Sequence, residues 1–113
     1  MDLVDDPDTA SWLERFSGAA ADIEWDAGNR EKNRKHGVEP MDVQHMLQSP
    51  VVLAGRIVAP SHDEPRWLAL GVGRTGRGLA LIFTRRADRI RPISCRAMRR
   101  LERRIYEEAT RDG

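Results

Sequence analysis

The hydrophobic and polar positions in the N-terminal half of the chain are typical of helices. Trp12 and Phe16, four residues apart, form a short apolar stripe that predicts a helix over about residues 10–17. Ser11 followed by Glu14 fits a capping box at the start of this helix. We therefore expect one short helix before the main fold begins.

A strand and two further helices are expected next. Residues 23–25 have the composition of a short strand, and Asp26 and Gly37 are suited to begin and end a helix over residues 27–36. This helix has almost no apolar face, so it must be short or pack through Asn33, His36 and aliphatic stems. Residues 40–49 are conventionally amphipathic, because Met41, Val43, Met46 and Leu47 supply an apolar face after Pro40.

From residue 51 onward the period changes to short runs separated by turns, the first of them rich in β-branched residues. Strands are predicted at 51–54 or 51–59, 66–72, 79–84 and 90–94, and a helix at 96–110. The turns at 73–78 and 86–89 are too short for parallel crossovers, so the strands should form an antiparallel meander. The order β-α-α-β-β-β-β-α predicts an α+β fold, with two N-terminal helices and one C-terminal helix packed on one face of a small sheet.

Two short motifs invite a chemical interpretation that their surroundings do not support. Residues 71–76 spell G-x-G-x-x-G, but a strand is predicted after them where a dinucleotide site needs a helix, so we interpret them as a hairpin turn. Cys95 is the only cysteine and is expected to be a small buried residue rather than a nucleophile. The histidines do not fall at zinc-ligand spacing with it, so no metal site and no cofactor are predicted.

Charge divides the chain into two unlike parts. Residues 1–65 carry 6 basic and 13 acidic side chains, whereas residues 66–113 carry 13 basic and 5 acidic ones, and 17 of the 19 basic residues are arginine. Arginine grips phosphates in pairs, so a polyanion is expected to meet the second part. Residues 1–22 are interpreted as an acidic extension, a partly ordered tail or an arm that docks on a basic surface, and residues 23–110 as the main domain.

Nothing in the composition indicates a membrane protein or an exported one. No stretch approaches the roughly 20 apolar residues of a membrane span. The N-terminus is acidic, whereas a signal peptide begins with basic residues. A cytoplasmic location is the expectation.

Six ordered segments carry a family resemblance. They are Trp25-Asp26, Lys35-His36-Gly37, Arg66-Trp67, Phe83-Thr84-Arg85, Ile93-Ser94-Cys95-Arg96 and Glu102-Arg103-Arg104-Ile105-Tyr106-Glu107. In this order and spacing, over about residues 23–109, they resemble the BrnT family of type II toxins. The chain departs from the family pattern at Cys95, where alanine is usual, and by its acidic N-terminal segment.

The resemblance implies a fold similar to the RelE-type ribonucleases and an activity that cleaves RNA and halts translation. It also implies a BrnA-like antitoxin of the ribbon-helix-helix class, through which the complex would contact operator DNA. A homodimer, or a heterotetramer with the antitoxin, is the assembly to expect.

Candidate site residues follow from this resemblance and from what metal-free RNA cleavage needs: a base, cations for the charged phosphorane and an acid. The predicted catalytic residues are Lys35, His36, Arg66, Arg85 and Arg96, with the three arginines expected on one rim of the sheet. The predicted substrate-binding residues are Thr84, Arg77, Arg91 and Arg99, and the predicted supporting residues are Asn33, Glu102 and Tyr106. Glu64 is a further candidate for proton transfer.

The same residues have simpler interpretations. Each arginine, taken alone, fits a solvated charge or a salt bridge, and His36 fits a hydrogen bond at the end of its helix. The alternative to a ribonuclease is therefore a non-catalytic module that uses the same arginine surface to bind nucleic acid or an acidic protein.

Overall fold

The strands form one antiparallel sheet whose members follow one another in sequence order. A computed structural model describes residues 1–16 and 22–111, and every strand of the sheet lies within these ranges. The strands are β1 (Asp2–Val4), β2 (Val52–Ala59), β3 (Arg66–Val72), β4 (Gly78–Arg86) and β5 (Arg89–Ala97). Each pairs with the next, so the sheet is a five-stranded meander.

Helices cover both faces of this sheet. The helices are α1 (Pro7–Arg15), α2 (Ala27–Lys35), α3 (Pro40–Gln48) and α4 (Arg100–Thr110). The first three cover what we call the α1–α3 face, where Leu13 and Met46 join the sheet residues Leu81 and Phe83 in the larger core. The opposite, α4 face carries a smaller core in which Tyr106 packs near Leu70. No helix in the described part of the chain has the length and apolar character of a membrane span.

The α+β class, the antiparallel meander and the helices before and after it are confirmed. The prediction that the helices share one face is wrong, because the apolar residues of β3 and β4 fall on both sides of the sheet. The strand predicted at residues 23–25 reduces to a single parallel bridge between Ile23 and Ile90. Ser11 lies inside α1, which begins earlier than predicted, at Pro7 with Asp6 as its N-cap.

The junction between β5 and α4 lies further along the chain than predicted. Cys95, Arg96 and Ala97 pair with residues of β4, which extends β5 to residue 97, and α4 begins only at Arg100. The amide of Arg99 donates to the carboxylate of Glu102 over 2.8 Å, so this backbone N–H at the start of the helix has a hydrogen-bond partner. Arg96 is therefore a strand residue.

The G-x-G-x-x-G segment ends β3 and enters a hairpin turn, as predicted. The amide of Gly73 donates to the carbonyl of Arg77 over 3.0 Å, and the amide of Gly76 donates to the carbonyl of Gly73 over 3.1 Å. Gly76 has a φ of +82°, which glycine adopts without steric cost. The segment leads into β4 rather than into a helix, so it lacks the helix N-terminus that holds a pyrophosphate.

The polar helix α2 is held to the sheet by a buried amide side chain. Asn33 is 1% exposed, and its Oδ1 accepts a hydrogen bond of 2.8 Å from the amide of Cys95 in β5. Its carbonyl accepts from the amide of Val38, and Gly37 takes a φ of +72°, so the helix ends in a glycine cap as predicted. This interaction anchors a helix that has little apolar surface of its own.

The N-terminal segment is fastened to the sheet through Asp6. One carboxylate oxygen accepts a hydrogen bond of 2.7 Å from the indole of Trp67, and the other accepts from the amide of Thr9 over 3.1 Å. β1 pairs with β2, and Leu13 is buried in the larger core. Residues 17–21, which include the end of the predicted helix, lie outside the described residues, and the predicted division after residue 22 stays a prediction.

We expect Asp6→Ala to lower the free energy of unfolding by about 2–3 kcal/mol, because it removes a helix cap and a charged hydrogen bond to a buried indole. Burial raises the pKa of Asp6, but the hydrogen bonds from Trp67 and Thr9 outweigh it, so the pKa lies below its ordinary value. The stabilisation that ionised Asp6 provides is complete above the pKa of an unfolded aspartate, about 3.9. It is lost as the pH falls through the lower pKa that Asp6 has in the folded protein.

Urea unfolding of the wild type and of Asp6→Ala at several pH values measures the difference in their free energies of unfolding. Asp5→Ala, an exposed neighbour of the same charge, is the matched control and is expected to change stability by less than about 0.5 kcal/mol. Equal effects of the two substitutions would contradict the prediction.

Candidate active site

A pocket of about 350 Å³ opens on the α4 face at the end of the sheet where β3 begins. Arg66 begins β3 and Thr84 lies near the end of β4, and the two strands pair at the next position, Trp67 with Phe83. The pocket is lined by Ser61, His62, Asp63, Glu64, Arg66, Thr84 and Ile93. Its volume is that of an ordinary small-ligand site.

Two polar contacts hold the loop that forms the wall of this pocket. The hydroxyl of Thr84 donates to the carbonyl of Pro65 over 2.7 Å, which fixes the end of the loop to β4. Arg86 donates to the carboxylate of Glu64 over 2.9 Å. Within residues 1–16 and 22–111, Arg66 has no ion pair or side-chain hydrogen bond, so its guanidinium remains available to a ligand.

His62 is a pocket residue that the sequence did not single out for catalysis. The loop between β2 and β3 places it in the same pocket as Arg66. The signal that could have found it is the spacing His62-x-Glu64-x-Arg66, which leads straight into a predicted strand. Histidine is the side chain best suited to proton transfer near neutral pH.

Arg96 lies on the same face but at some distance from this pocket. It pairs with Ala80, four residues before Thr84 along β4, a separation of about 13 Å at about 3.3 Å per residue. Its guanidinium binds both carboxylate oxygens of Glu102 in α4, over 2.6 and 2.9 Å. This bidentate pair joins α4 to the sheet.

The two partners of this pair shift each other's pKa. The hydrogen bond to Glu102 raises the pKa of Arg96 above its ordinary value. Burial raises the pKa of Glu102, but the hydrogen bonds from Arg96 and from the amide of Arg99 outweigh it and leave the pKa lowered. Both groups are therefore charged at neutral pH, and Tyr106 lies one turn further along α4 in the core of the α4 face.

Arg85 emerges on the opposite side of the sheet, so the expectation that three arginines share one rim is wrong for this residue. Its guanidinium donates to Asp8 over 3.2 Å and to the hydroxyl of Thr9 over 2.9 Å, and lies 4.5 Å from the ring centre of Trp12. All three partners belong to α1. The cause is the alternation of β4, in which Thr84 faces α4 and the next residue faces α1.

Lys35 and His36 are also remote from the pocket. Lys35 ends α2 and His36 follows it, at the end of the sheet that carries the turn between β3 and β4. There Arg77 donates to the carbonyl of His36 over 3.1 Å. Gly78 begins β4 at that end, and Thr84 is six residues further on, about 20 Å away. The predicted catalytic residues therefore do not meet around one phosphate.

The family of the chain is shown by a match that covers more than half of its sequence. Residues 25–102 match the family model described as the ribonuclease toxin BrnT of type II toxin-antitoxin systems. The chain belongs to the BrnT family. A search of curated protein sequences gave no match. The family is one of ribonuclease toxins, and membership in a type II system implies an antitoxin partner.

The BrnT match covers the pocket and all five predicted catalytic residues. It begins after β1 and α1, so the contacts of Arg85 with α1 are made by a segment outside the matched residues. In the described ranges, no three His, Cys, Asp or Glu side chains converge as a metal site would require.

Cys95 is expected to be chemically inert in the folded BrnT domain. It is fully buried, and burial raises the pKa of its thiol to about 12, so almost no thiolate is present at pH 8. We expect DTNB to modify the native protein at least about a hundredfold more slowly than a free thiol. The same reagent in denaturant should titrate one thiol per chain, and rapid labelling of the native protein would refute the prediction.

Proposed function

We propose that this BrnT protein is a metal-independent endoribonuclease that halts translation and is neutralised by a ribbon-helix-helix antitoxin. The observation that carries the proposal is that Arg66, which has no ion pair or side-chain hydrogen bond among the described residues, shares a pocket with His62 and Glu64. The pocket lies within the residues that match a ribonuclease toxin family. Messenger RNA, the substrate of such an enzyme, is found in the cytoplasm, where we place the activity. Operator DNA would be contacted through the antitoxin.

The pocket offers the groups that RNA cleavage needs. The 2′-hydroxyl of the substrate attacks the neighbouring phosphorus, its proton passes to a base, and the 5′-oxygen leaves with a proton from an acid. Arg66 would bind the non-bridging oxygens and stabilise the charge of the phosphorane. We assign proton transfer to His62 and Glu64, because they line the pocket with Arg66, whereas Lys35 and His36 lie at the other end of the sheet.

Several of the other predicted site residues have roles outside proton transfer in this proposal. Thr84 fixes the pocket wall, and Arg96 with Glu102 fixes α4 beside the RNA-binding face. Arg77 and Arg99 lie at the far end of the same sheet, where they would contact RNA beyond the scissile phosphate. Arg85 holds α1 and is given no catalytic role.

Purified protein is expected to cleave single-stranded RNA in buffer that contains EDTA. Arg66→Ala should reduce the cleavage rate by about 10²–10³, the usual cost of losing one group that stabilises the transition-state charge. Arg104→Ala, an exposed arginine of α4, removes the same charge and should leave the rate within about twofold. Intact RNA after incubation with the folded wild-type protein would support the non-catalytic binding module instead.

Expression of the protein alone is expected to arrest bacterial growth, with incorporation of labelled amino acids falling first. Co-expression of a ribbon-helix-helix protein encoded next to this gene should restore growth, because a type II antitoxin binds its toxin directly. Arg66→Ala at equal expression is the control and should not arrest growth. Normal growth with soluble wild-type protein, or arrest by both forms alike, would contradict the proposal.

A further inference from the structure

We propose that Arg86, Arg89 and Arg91 form a second phosphate-binding subsite for RNA, in which the carboxylate of Glu24 now occupies the position of a phosphate. The subsite lies at the tip of the hairpin between β4 and β5, next to the pocket. This inference rests on the proposed function, since it names how the same substrate is bound beyond the scissile phosphate.

Three guanidinium groups converge on one carboxylate. Arg86 and Arg91 both donate to the same oxygen of Glu24, over 3.1 and 3.2 Å, and Arg89 approaches its other oxygen at 3.8 Å. Planar guanidinium groups arranged around a single anion are the geometry with which arginines hold a phosphodiester. The amide of Glu24 donates to the carbonyl of Ile90 over 2.8 Å, so its backbone is fixed to β5.

The arginines are held together at the hairpin tip by an arrangement that is energetically unfavourable at two points. Arg86 and Arg89 are directly opposite each other in the β4–β5 register, a placement that is unfavourable for like charges. Ala87, between them, has a φ of +56°, a conformation that glycine or asparagine adopts more readily. Such costs are typical of positions that serve binding rather than folding.

The subsite is continuous with the pocket. Arg86 binds Glu24 with one nitrogen and binds Glu64, which lines the pocket, with the other, over 2.9 Å. Arg86 also lies only two residues beyond Thr84, about 7 Å along β4 and on the same face. An RNA strand that places one phosphate at Arg66 can therefore reach the hairpin tip with another.

The carboxylate is replaceable by a ligand. The side chains of Arg86 and Arg89 are 40% and 48% exposed, and that of Glu24 is 27% exposed. Ion pairs at this degree of exposure are weak, whereas RNA supplies several phosphates at once and releases counterions on binding. Arg91 also forms an ion pair with Asp26 over 2.6 Å, so the side chain of Arg91 stays in position when Glu24 is displaced.

The test measures the affinity of the full chain for a 2′-O-methyl RNA, which cannot be cleaved, as a function of salt concentration. Glu24→Gln should tighten binding and steepen the plot of log K against log salt by about 0.7 or more, since at least one arginine is released to the single strand. Arg89→Ala should flatten the same slope by about 0.7, and Arg104→Ala should leave it unchanged. Circular dichroism and thermal unfolding verify that each variant is folded.

An unchanged slope for either folded variant, Glu24→Gln or Arg89→Ala, would overturn the subsite. Cleavage of ordinary RNA is measured separately, so the two proposals can fail separately. If the wild type leaves RNA intact while both variants shift the slope as stated, the subsite stands and the ribonuclease assignment fails. If Arg66→Ala abolishes cleavage while Arg89→Ala binds as the wild type does, the subsite alone is refuted.

Discussion

Side chains alternate between the two faces of a strand, and this geometric constraint distributes both the core and the arginines of this sheet. In β4, Leu81 and Phe83 enter the larger core under α1–α3, whereas Ala80 enters the smaller core under α4. The same alternation sends Arg85 to α1 and Arg86 to the hairpin tip beside the pocket. Two neighbouring arginines with the same chemistry therefore belong to different parts of the molecule.

The opposite charges of the two halves of the chain are explained largely within the protein. Seven ion pairs join an acidic side chain of residues 1–65 to an arginine of residues 66–113; they involve Asp8, Glu24, Asp26, Asp42 and Glu64. The sequence indicated a basic surface for a polyanion, but much of that charge is already balanced. Arg66 lines a pocket and, in residues 1–16 and 22–111, has neither an ion pair nor a side-chain hydrogen bond, whereas Arg77, which lines another pocket, donates to two backbone carbonyls.

Much of the fold could be predicted because it depends on local signals. The bounds of β3 were predicted at 66–72, and Gly37 was predicted to end α2, since short apolar runs and glycine caps are properties of a few adjacent residues. The face of each strand could not be predicted in the same way. β4 is apolar on both sides, so its sequence lacks the alternation from which the direction of Arg85 could be inferred.

The site was harder to predict because it is assembled by pairing between distant segments. His62 and Thr84 are 22 positions apart and line one pocket only because β3 and β4 are neighbours in register. Glu24 reaches Arg86, Arg89 and Arg91 because Ile23 forms a bridge with Ile90 at the edge of β5. Without such contacts, the edge of β5 would expose unpaired backbone groups. Further along this edge, the side chain of Asn33 accepts a hydrogen bond from the amide of Cys95. The contacts that cover the edge of the sheet thus also bring Glu24 to the arginines. The same contacts therefore stabilise this edge and balance the charge of the hairpin tip.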